Sequence, residues 1–155
     1  MASEFTGRIL HVNLTTGHVE VESPPESFYR TYLGGSAMGL YYILKGMQPG
    51  TDGLDPSNVL TVMDSLLTGA PIAGQSRVTV NARSPLVDGI GDSQAGGFFP
   101  AELRFAGFLG LVITGRAAEP VYLWLHDGEA ELRPAGHLWV RTTSEVDDLL
   151  KAELG

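Results

Sequence analysis

The stretch that decides the fold is residues 8–21, with the sequence RILHVNLTTGHVEV. Apolar residues alternate with polar ones on both sides of a Thr-Thr-Gly turn, at Leu10 and Val12 before it and at Val19 and Val21 after it. Successive side chains of a strand point to opposite faces, so this pattern predicts a β-hairpin with one buried face.

The rest of the chain contains more predicted strands than helices. We find no fixed-period repeat and no regular alternation of strand and helix, so the fold class we expect is α+β, a strand-rich single domain. The predicted strands cover residues 59–63, 77–81 and 109–114, with a second hairpin formed by 121–126 and 129–133 around Asp127-Gly128.

Four helices are predicted from capping residues and apolar periodicity. Ser23 and Glu26 form an apparent capping box for a short first helix, and Ser36 is the expected cap of the second. A third helix covers 100–105, and a fourth begins at Thr142. The buried side of the second helix is expected to contain Leu40, Ile43 and Leu44.

Composition excludes several function classes. The 155 residues are 43% apolar and 18% charged, which is typical of a globular domain. A net charge of −8 with only two lysines argues against binding nucleic acid. The absence of cysteine excludes disulfides and any cysteine-ligated iron–sulfur cluster or thiolate zinc site in this chain. Without a membrane-length apolar run or a signal peptide, we expect a cytoplasmic protein with no membrane partner.

One stretch has residues suited to holding an anion. Arg77, Thr79 and Asn81 are predicted to project together from one strand face, next to a glycine-rich run over 88–97 that we interpret as an exposed loop. Arginine offers a bidentate fork, and glycine lets backbone amides approach a ligand. Alternatively, Arg77 is a solvated strand residue or a surface ion pair, and Gly96-Gly97 is a tight structural turn.

Other catalytic arrangements have no support. The four histidines lack metal-ligand spacing. The sequence contains no GxSxG elbow, no P-loop and no GxGxxG dinucleotide-binding fingerprint between a strand and a helix. Asp92 and Glu102 flank the glycine run, and they are the only acids retained as site candidates, although a turn residue and a helix-start acid would look the same.

A series of short motifs resembles the tungsten-containing aldehyde:ferredoxin oxidoreductase family. Each motif alone is loose, but the unbroken order is specific, and it extends from about Gly7 to the end of the chain. The motifs are GRILHVNLTTG (7–17), YLGG (32–35), LLTG (66–69), SR (76–77), SPL (84–86), GGFF (96–99), ELRFAG (102–107) and PVYL (120–123).

The resemblance implies a cofactor with two pterin dithiolenes on one tungsten, or molybdenum in some relatives, and a magnesium ion bridging their phosphates. It implies oxidation of an aldehyde to a carboxylic acid, with electrons passing through an iron–sulfur cluster to ferredoxin. Residues 1–155 would be an N-terminal domain, incomplete at its C-terminal end. The cluster would be carried by a C-terminal portion or a large subunit.

Individual site residues follow from the same resemblance. Arg77 matches an arginine that contacts the pterin. Gln94 occupies a position where asparagine is common beside the magnesium, a role that its backbone carbonyl could retain. Ala95 replaces a common serine, and Gly96 and Gly97 match the glycine pair that lets the backbone approach the cofactor. The segment after Gly34-Gly35 departs from relatives that have an arginine there.

Two hypotheses remain open at this level. The chain is part of an oxidoreductase, as a fragment or a separate small subunit, or it is a non-catalytic binding or assembly module that retains the fold. A homo-oligomer is compatible with both. An independent hydrolase has no supporting residues.

Overall fold

The computed structural model of the chain describes residues 7–155. No helix in this range is both long enough and apolar enough to cross a lipid bilayer. The elements, in chain order, are β1 (Arg8–Asn13), β2 (His18–Glu22), α1 (Glu26–Tyr32), α2 (Gly35–Gly46), β3 (Leu60–Asp64), β4 (Val78–Arg83), β5 (Ile90–Ala95), α3 (Phe99–Phe105), β6 (Phe108–Thr114), β7 (Val121–His126), β8 (Glu129–Pro134) and α4 (Thr143–Leu154).

A six-stranded mixed sheet organises the domain. Its strand order is β2-β1-β6-β3-β4-β5, while β7 and β8 form a separate hairpin. β1 and β6 are parallel, and every other neighbouring pair in the large sheet is antiparallel. Strands and helices do not alternate regularly, which confirms the α+β prediction.

The first hairpin is confirmed, but it is not buried on one face only. Ile9 and Leu10 are adjacent in β1 and both are fully buried. β1 is an interior strand, because β6 pairs along the edge that β2 leaves open, and both of its faces are covered. Val21 in the outer strand remains 44% exposed.

Two apolar clusters lie on opposite sides of the sheet. Helices α1 and α2 cover one side, where Tyr29, Met38 and Ile43 pack against sheet residues. Helix α3 and the β7–β8 hairpin cover the other side, with Leu103 and Leu123 packed near Phe108. The sheet is therefore the middle of three layers, although Leu60 of the interior strand β3 remains 37% exposed.

The predicted starts of the first two helices are wrong. α1 begins at Glu26, after Pro25, and Ser23 does not cap it. A residue before proline avoids helical geometry, so Pro24 cannot begin a helix ahead of Pro25. Ser36 lies inside α2, whose N-cap is Gly34.

The predicted buried side of α2 was also partly wrong. Leu44 is 79% exposed, and the buried residues are Met38, Gly39, Tyr42 and Ile43. The helix therefore packs on the sheet with a different face from the predicted one. Gly35 and Gly39 lie on this face, and because they have no side chains the helix approaches the sheet closely there. The capping box at Thr142 and Glu145 is confirmed.

Candidate functional site

The glycine-rich run is an edge strand and not the predicted loop. β5 pairs with β4 along its whole length, from Arg83 opposite Ile90 to Val78 opposite Ala95. Gly96, Gly97 and Phe98 connect the end of β5 to the start of α3. The loop was predicted because the run lacks the apolar alternation typical of a strand. The run forms a strand because its backbone hydrogen-bonds to the edge of β4.

The predicted open face of β4 is mostly covered. Thr79 and Asn81 do share one face, as expected, but they are 6% and 0% exposed because α2 packs over them. A Cβ atom added at Gly35 would lie 3.3 Å from Thr79 Oγ1. Arg77, one residue before β4, is exposed.

Arg77 and Gly96 lie side by side at the end of the β4–β5 ladder. Thr79 pairs with Gln94, and two residues further the register places Arg77 opposite Gly96. A Cβ atom added at Gly96 would lie 4.0 Å from Arg77 Nε. The Ser76 hydroxyl donates to the Gly97 carbonyl at 2.7 Å and ties the two segments together.

The structure therefore brings together most of the residues singled out in the sequence. Arg77, Gln94 and Gly96 share the α2 side of the sheet, and Gly97 follows directly. The side chain of Ala95 points to the opposite face, because neighbouring strand residues alternate. Their role in cofactor binding stays a prediction.

The amino end of α2 is a feature that the sequence analysis missed. Its N-cap, Gly34, makes no side-chain capping bond, and the first turn contains no acidic residue. The first amide groups of a helix attract anions, and α2 is positioned with its start above Thr79, toward Arg77. The sequence signal for this helix start was the Gly-Gly pair before an amphipathic segment. Gly34 and Gly35 both have positive φ, a conformation that favours glycine.

Charges around this edge differ in how they are paired. Arg77 makes no ion pair with another residue of the described range, whereas Arg83 is paired with Asp88 at 2.5 Å. Asp92 accepts hydrogen bonds from Ser36 and Asn81, which hold the pKa of its carboxyl below the usual value. Arg77 is thus the cation available to a ligand at this edge.

A second acid, Asp64, lies in the interior. It is 0% exposed, and neither carboxylate oxygen has a hydrogen-bond partner among the described residues. Burial raises the pKa of Asp64 to about 8, against a smaller opposing effect of Arg104. It pairs with Val78 in the sheet and faces away from α2, so it does not line the Arg77 edge.

This edge of the α+β domain is suited to the anionic part of a cofactor. It combines the exposed Arg77, the glycine pair at 96–97 and the start of α2, which has no side-chain cap. Residues 9–155 match the family described as aldehyde ferredoxin oxidoreductase, N-terminal domain. The chain belongs to this family, as the motif series indicated.

Two similar relatives are tungsten-containing aldehyde ferredoxin oxidoreductases. The protein of Pyrococcus abyssi is 40% identical over 151 residues, covering 97% of this chain and 25% of that protein. The Pyrococcus furiosus protein is 38% identical over 149 residues, with coverages of 96% and 25%. The chain thus spans about a quarter of the length of these relatives.

The fold also matches a solved structure. The active site complex BamBC of benzoyl coenzyme A reductase, in complex with 1,5-dienoyl-CoA, aligns with a TM-score of 0.92 and 31% identity. The alignment covers 96% of this chain and 23% of that chain.

Proposed function

We propose that this chain supplies a pterin-binding surface of a tungsten or molybdenum oxidoreductase that converts aldehydes to carboxylic acids. Family membership and the names of the Pyrococcus relatives support the metal and the reaction. The observation that carries the proposal is the adjacency of Arg77 and Gly96, with the guanidinium Nε 4.0 Å from the open Cβ position of the glycine.

The residues at this edge fit the phosphate end of a pterin cofactor. The guanidinium of Arg77 can donate two parallel hydrogen bonds to phosphate oxygens. Gly96 and Gly97 present backbone without side chains, and the amides at the start of α2 add partial positive charge. Because β5 is an edge strand, part of its backbone has no partner strand, so the carbonyl of Gln94 is our candidate magnesium ligand.

The metal with its two dithiolenes would supply the redox chemistry, and this chain would bind and orient its ligand. An iron–sulfur cluster would have to be held elsewhere, because the chain contains no cysteine. The C-terminal portion of the protein, or a large subunit, is the proposed carrier of that cluster and of the contact with ferredoxin. We propose a cytoplasmic location and leave room for a homo-oligomer.

The proposal is tested by replacing Arg77 in the complete protein, purified from tungstate-supplied cells. Loss of a charge-assisted hydrogen bond costs about 1.5–3 kcal/mol, which corresponds to roughly ten- to hundredfold weaker binding. We expect Arg77→Ala to lose most of its tungsten and pterin, measured by mass spectrometry of the metal and by pterin fluorescence. Arg77→Lys should retain an intermediate amount, because lysine keeps the charge but not the fork.

Arg30→Ala is the matched control, since Arg30 lies on α1 and forms a surface ion pair with Glu26. It should retain full cofactor content. Wild-type protein without stoichiometric metal and pterin would support the alternative of a non-catalytic module. Full tungsten and pterin content in Arg77→Ala would show that Arg77 is not part of the cofactor site.

The similarity to the benzoyl coenzyme A reductase complex favours a second substrate class, an acyl thioester, on the same architecture. Dye reduction by purified protein with an aldehyde, compared with a dienoyl thioester, separates the two. Turnover of the thioester alone would replace the aldehyde in the proposal and leave the cofactor site unchanged.

A further inference from the structure

One carboxylate oxygen joins three elements beside the candidate site. The Ser36 hydroxyl of α2 donates to Asp92 Oδ2 at 2.5 Å, and the Asn81 amide of β4 donates to the same oxygen at 2.9 Å. Asp92 itself belongs to the edge strand β5. A single side chain therefore connects the start of a helix to two neighbouring strands.

The support behind Asp92 is rigid. Asn81 is 0% exposed, and its amide nitrogen also donates to the Gly91 carbonyl at 3.3 Å. α2 lies directly on this polar group, because a Cβ atom at Gly39 would be only 2.6 Å from Asn81 Oδ1 and 2.7 Å from Thr61 Oγ1. Asn81 and the backbone of α2 are therefore in close contact next to Asp92.

The first turn of α2 depends on this contact more than the rest of the helix does. The buried apolar residues of α2 begin at Met38 and continue through Tyr42 and Ile43. Before Met38, the helix start is linked to the sheet by the side-chain hydrogen bond of Ser36 to Asp92 and, at the N-cap, by the backbone bridge of Gly34 to Ser65. Asp92 thus provides the side-chain contact that holds the first turn of α2 against β5.

Asp92 lies too far along the sheet to neutralise Arg77. On the α2 side the cross-strand pairs follow in the order Asn81–Asp92, Thr79–Gln94 and Arg77–Gly96, given the observed register. Two steps of two residues correspond to roughly 13 Å, which exceeds the screening length of about 8 Å at physiological salt. Asp92 can orient neighbours of the site without competing for its cation.

We propose that Asp92 is a positioning residue, which fixes the amino end of α2 against β4 and β5 so that its amides face the same ligand as Arg77 and Gly96. This inference rests on the proposed function, because the ligand is the cofactor phosphate. Asp92 does not contact that ligand, and its effect passes through Ser36 and Asn81.

The test compares Asp92→Ala with Asp92→Asn in the complete protein. Alanine removes the acceptor, whereas asparagine keeps an oxygen in the same place, so Asp92→Asn should rescue the site. Hydrogen exchange of a peptide covering α2 should become about tenfold faster in Asp92→Ala, as expected for loss of one charge-assisted hydrogen bond. Tungsten and pterin content should fall at least threefold in the alanine variant and remain near wild type in the asparagine variant.

Ser93→Ala is the control, because Ser93 is the exposed neighbour of Asp92 on the opposite face of β5. It should match wild type in exchange and in cofactor content. Faster exchange with unchanged cofactor content in Asp92→Ala would make the contact merely structural and overturn the inference. Equal loss in the alanine and asparagine variants would also overturn it, because the hydrogen-bond geometry would then be irrelevant.

The two proposals fail in different ways. If the wild-type protein contains no tungsten or pterin, the proposed function fails, and with it the cofactor role of Asp92. If wild type and Asp92→Ala both contain the cofactor in full, only the positioning role fails.

Discussion

Asp64 is the residue at which this fold departs most from ordinary burial rules. Its carboxyl is fully enclosed, both oxygens lack a hydrogen-bond partner within the described residues, and the charge of Arg104 lowers its pKa less than burial raises it. A buried carboxyl without a partner favours its neutral form, because an isolated charge is strongly disfavoured in the interior. At a pH between 3.8 and about 8, the folded chain therefore keeps a proton on Asp64, whereas the unfolded chain has released it.

This arrangement predicts a pH-dependent stability difference between Asp64→Asn and wild type. Burial raises the pKa of Asp64 from 3.8 to about 8, so folding is favoured by low pH and loses stability as pH rises between these values. The loss is about 1.4 kcal/mol for each pH unit in that window. Urea unfolding should show little difference near pH 4 and a growing advantage of the variant up to about pH 8.

The control for this prediction is Asp148→Asn, a substitution on the exposed surface of α4. It should leave the pH profile of the unfolding free energy as in wild type. A stability gap between Asp64→Asn and wild type that does not change with pH would contradict the assignment of a raised pKa to Asp64.

Residue chemistry predicted that Arg77 lies beside the glycine pair, but it did not predict which neighbouring residues are buried. Arginine followed by alternating residues, with a glycine pair downstream, indicated an anion site, and the structure does place Arg77 beside Gly96. The burial of Thr79 and Asn81 was not predictable. Strand alternation separates two faces, and it carries no information on which face a distant helix will cover.

At the scale of elements, two local signals gave correct boundaries, whereas the local caps predicted at Ser23 and Ser36 were wrong. The turn at Asp127 and Gly128 has positive φ at both residues, and the helix start at Thr142 has its reciprocal capping bonds. Both depend on neighbours within four residues. β5 was predicted as a loop, because it becomes a strand only through pairing with β4.

The contact between α2 and the sheet gives an element-scale prediction. A methyl group at Gly39 would meet Asn81 Oδ1 at 2.6 Å and Thr61 Oγ1 at 2.7 Å, both on buried side chains. Gly39→Ala should therefore force the helix away from the sheet and destabilise the domain by about 1–3 kcal/mol. This should occur although alanine favours a helix by about 1 kcal/mol relative to glycine.

Gly136→Ala is the matched control for Gly39→Ala, because among residues 7–155, apart from its own chain neighbours, no atom lies within 4 Å of the added Cβ. Thermal unfolding should place Gly136→Ala close to wild type and Gly39→Ala clearly below it. A gain of stability in Gly39→Ala would mean that helix propensity outweighs the close packing of α2.

At the scale of the whole molecule, the parallel pairing of β1 with β6 could not be predicted from sequence. The two strands are far apart in the chain, at Arg8–Asn13 and Phe108–Thr114, and neither pattern specifies its partner. Their pairing places Ile9, Leu10 and Leu109 at 0% exposure in the centre of the sheet. Stability should therefore be concentrated in these central strands.

α4 is expected to be much less stable than the central strands, because none of its residues is buried. Glu153 links it to the second hairpin by accepting the Tyr122 hydroxyl at 2.7 Å, and it contacts His137 Nε2 at 3.1 Å. Exposed contacts of this kind contribute little stability. Local opening of α4 should therefore require much less free energy than opening of β1.

Hydrogen exchange measured on the 155-residue chain should resolve this gradient. We expect amides of α4 to exchange about a hundredfold or more faster than those of β1. Glu153→Gln should accelerate exchange in α4 alone, because it weakens the links to Tyr122 and His137. Glu119→Gln, an exposed substitution outside these contacts, is the control. Uniform exchange of α4 and β1 through one global opening would contradict the gradient, because it would require α4 to be as firmly held as the central sheet.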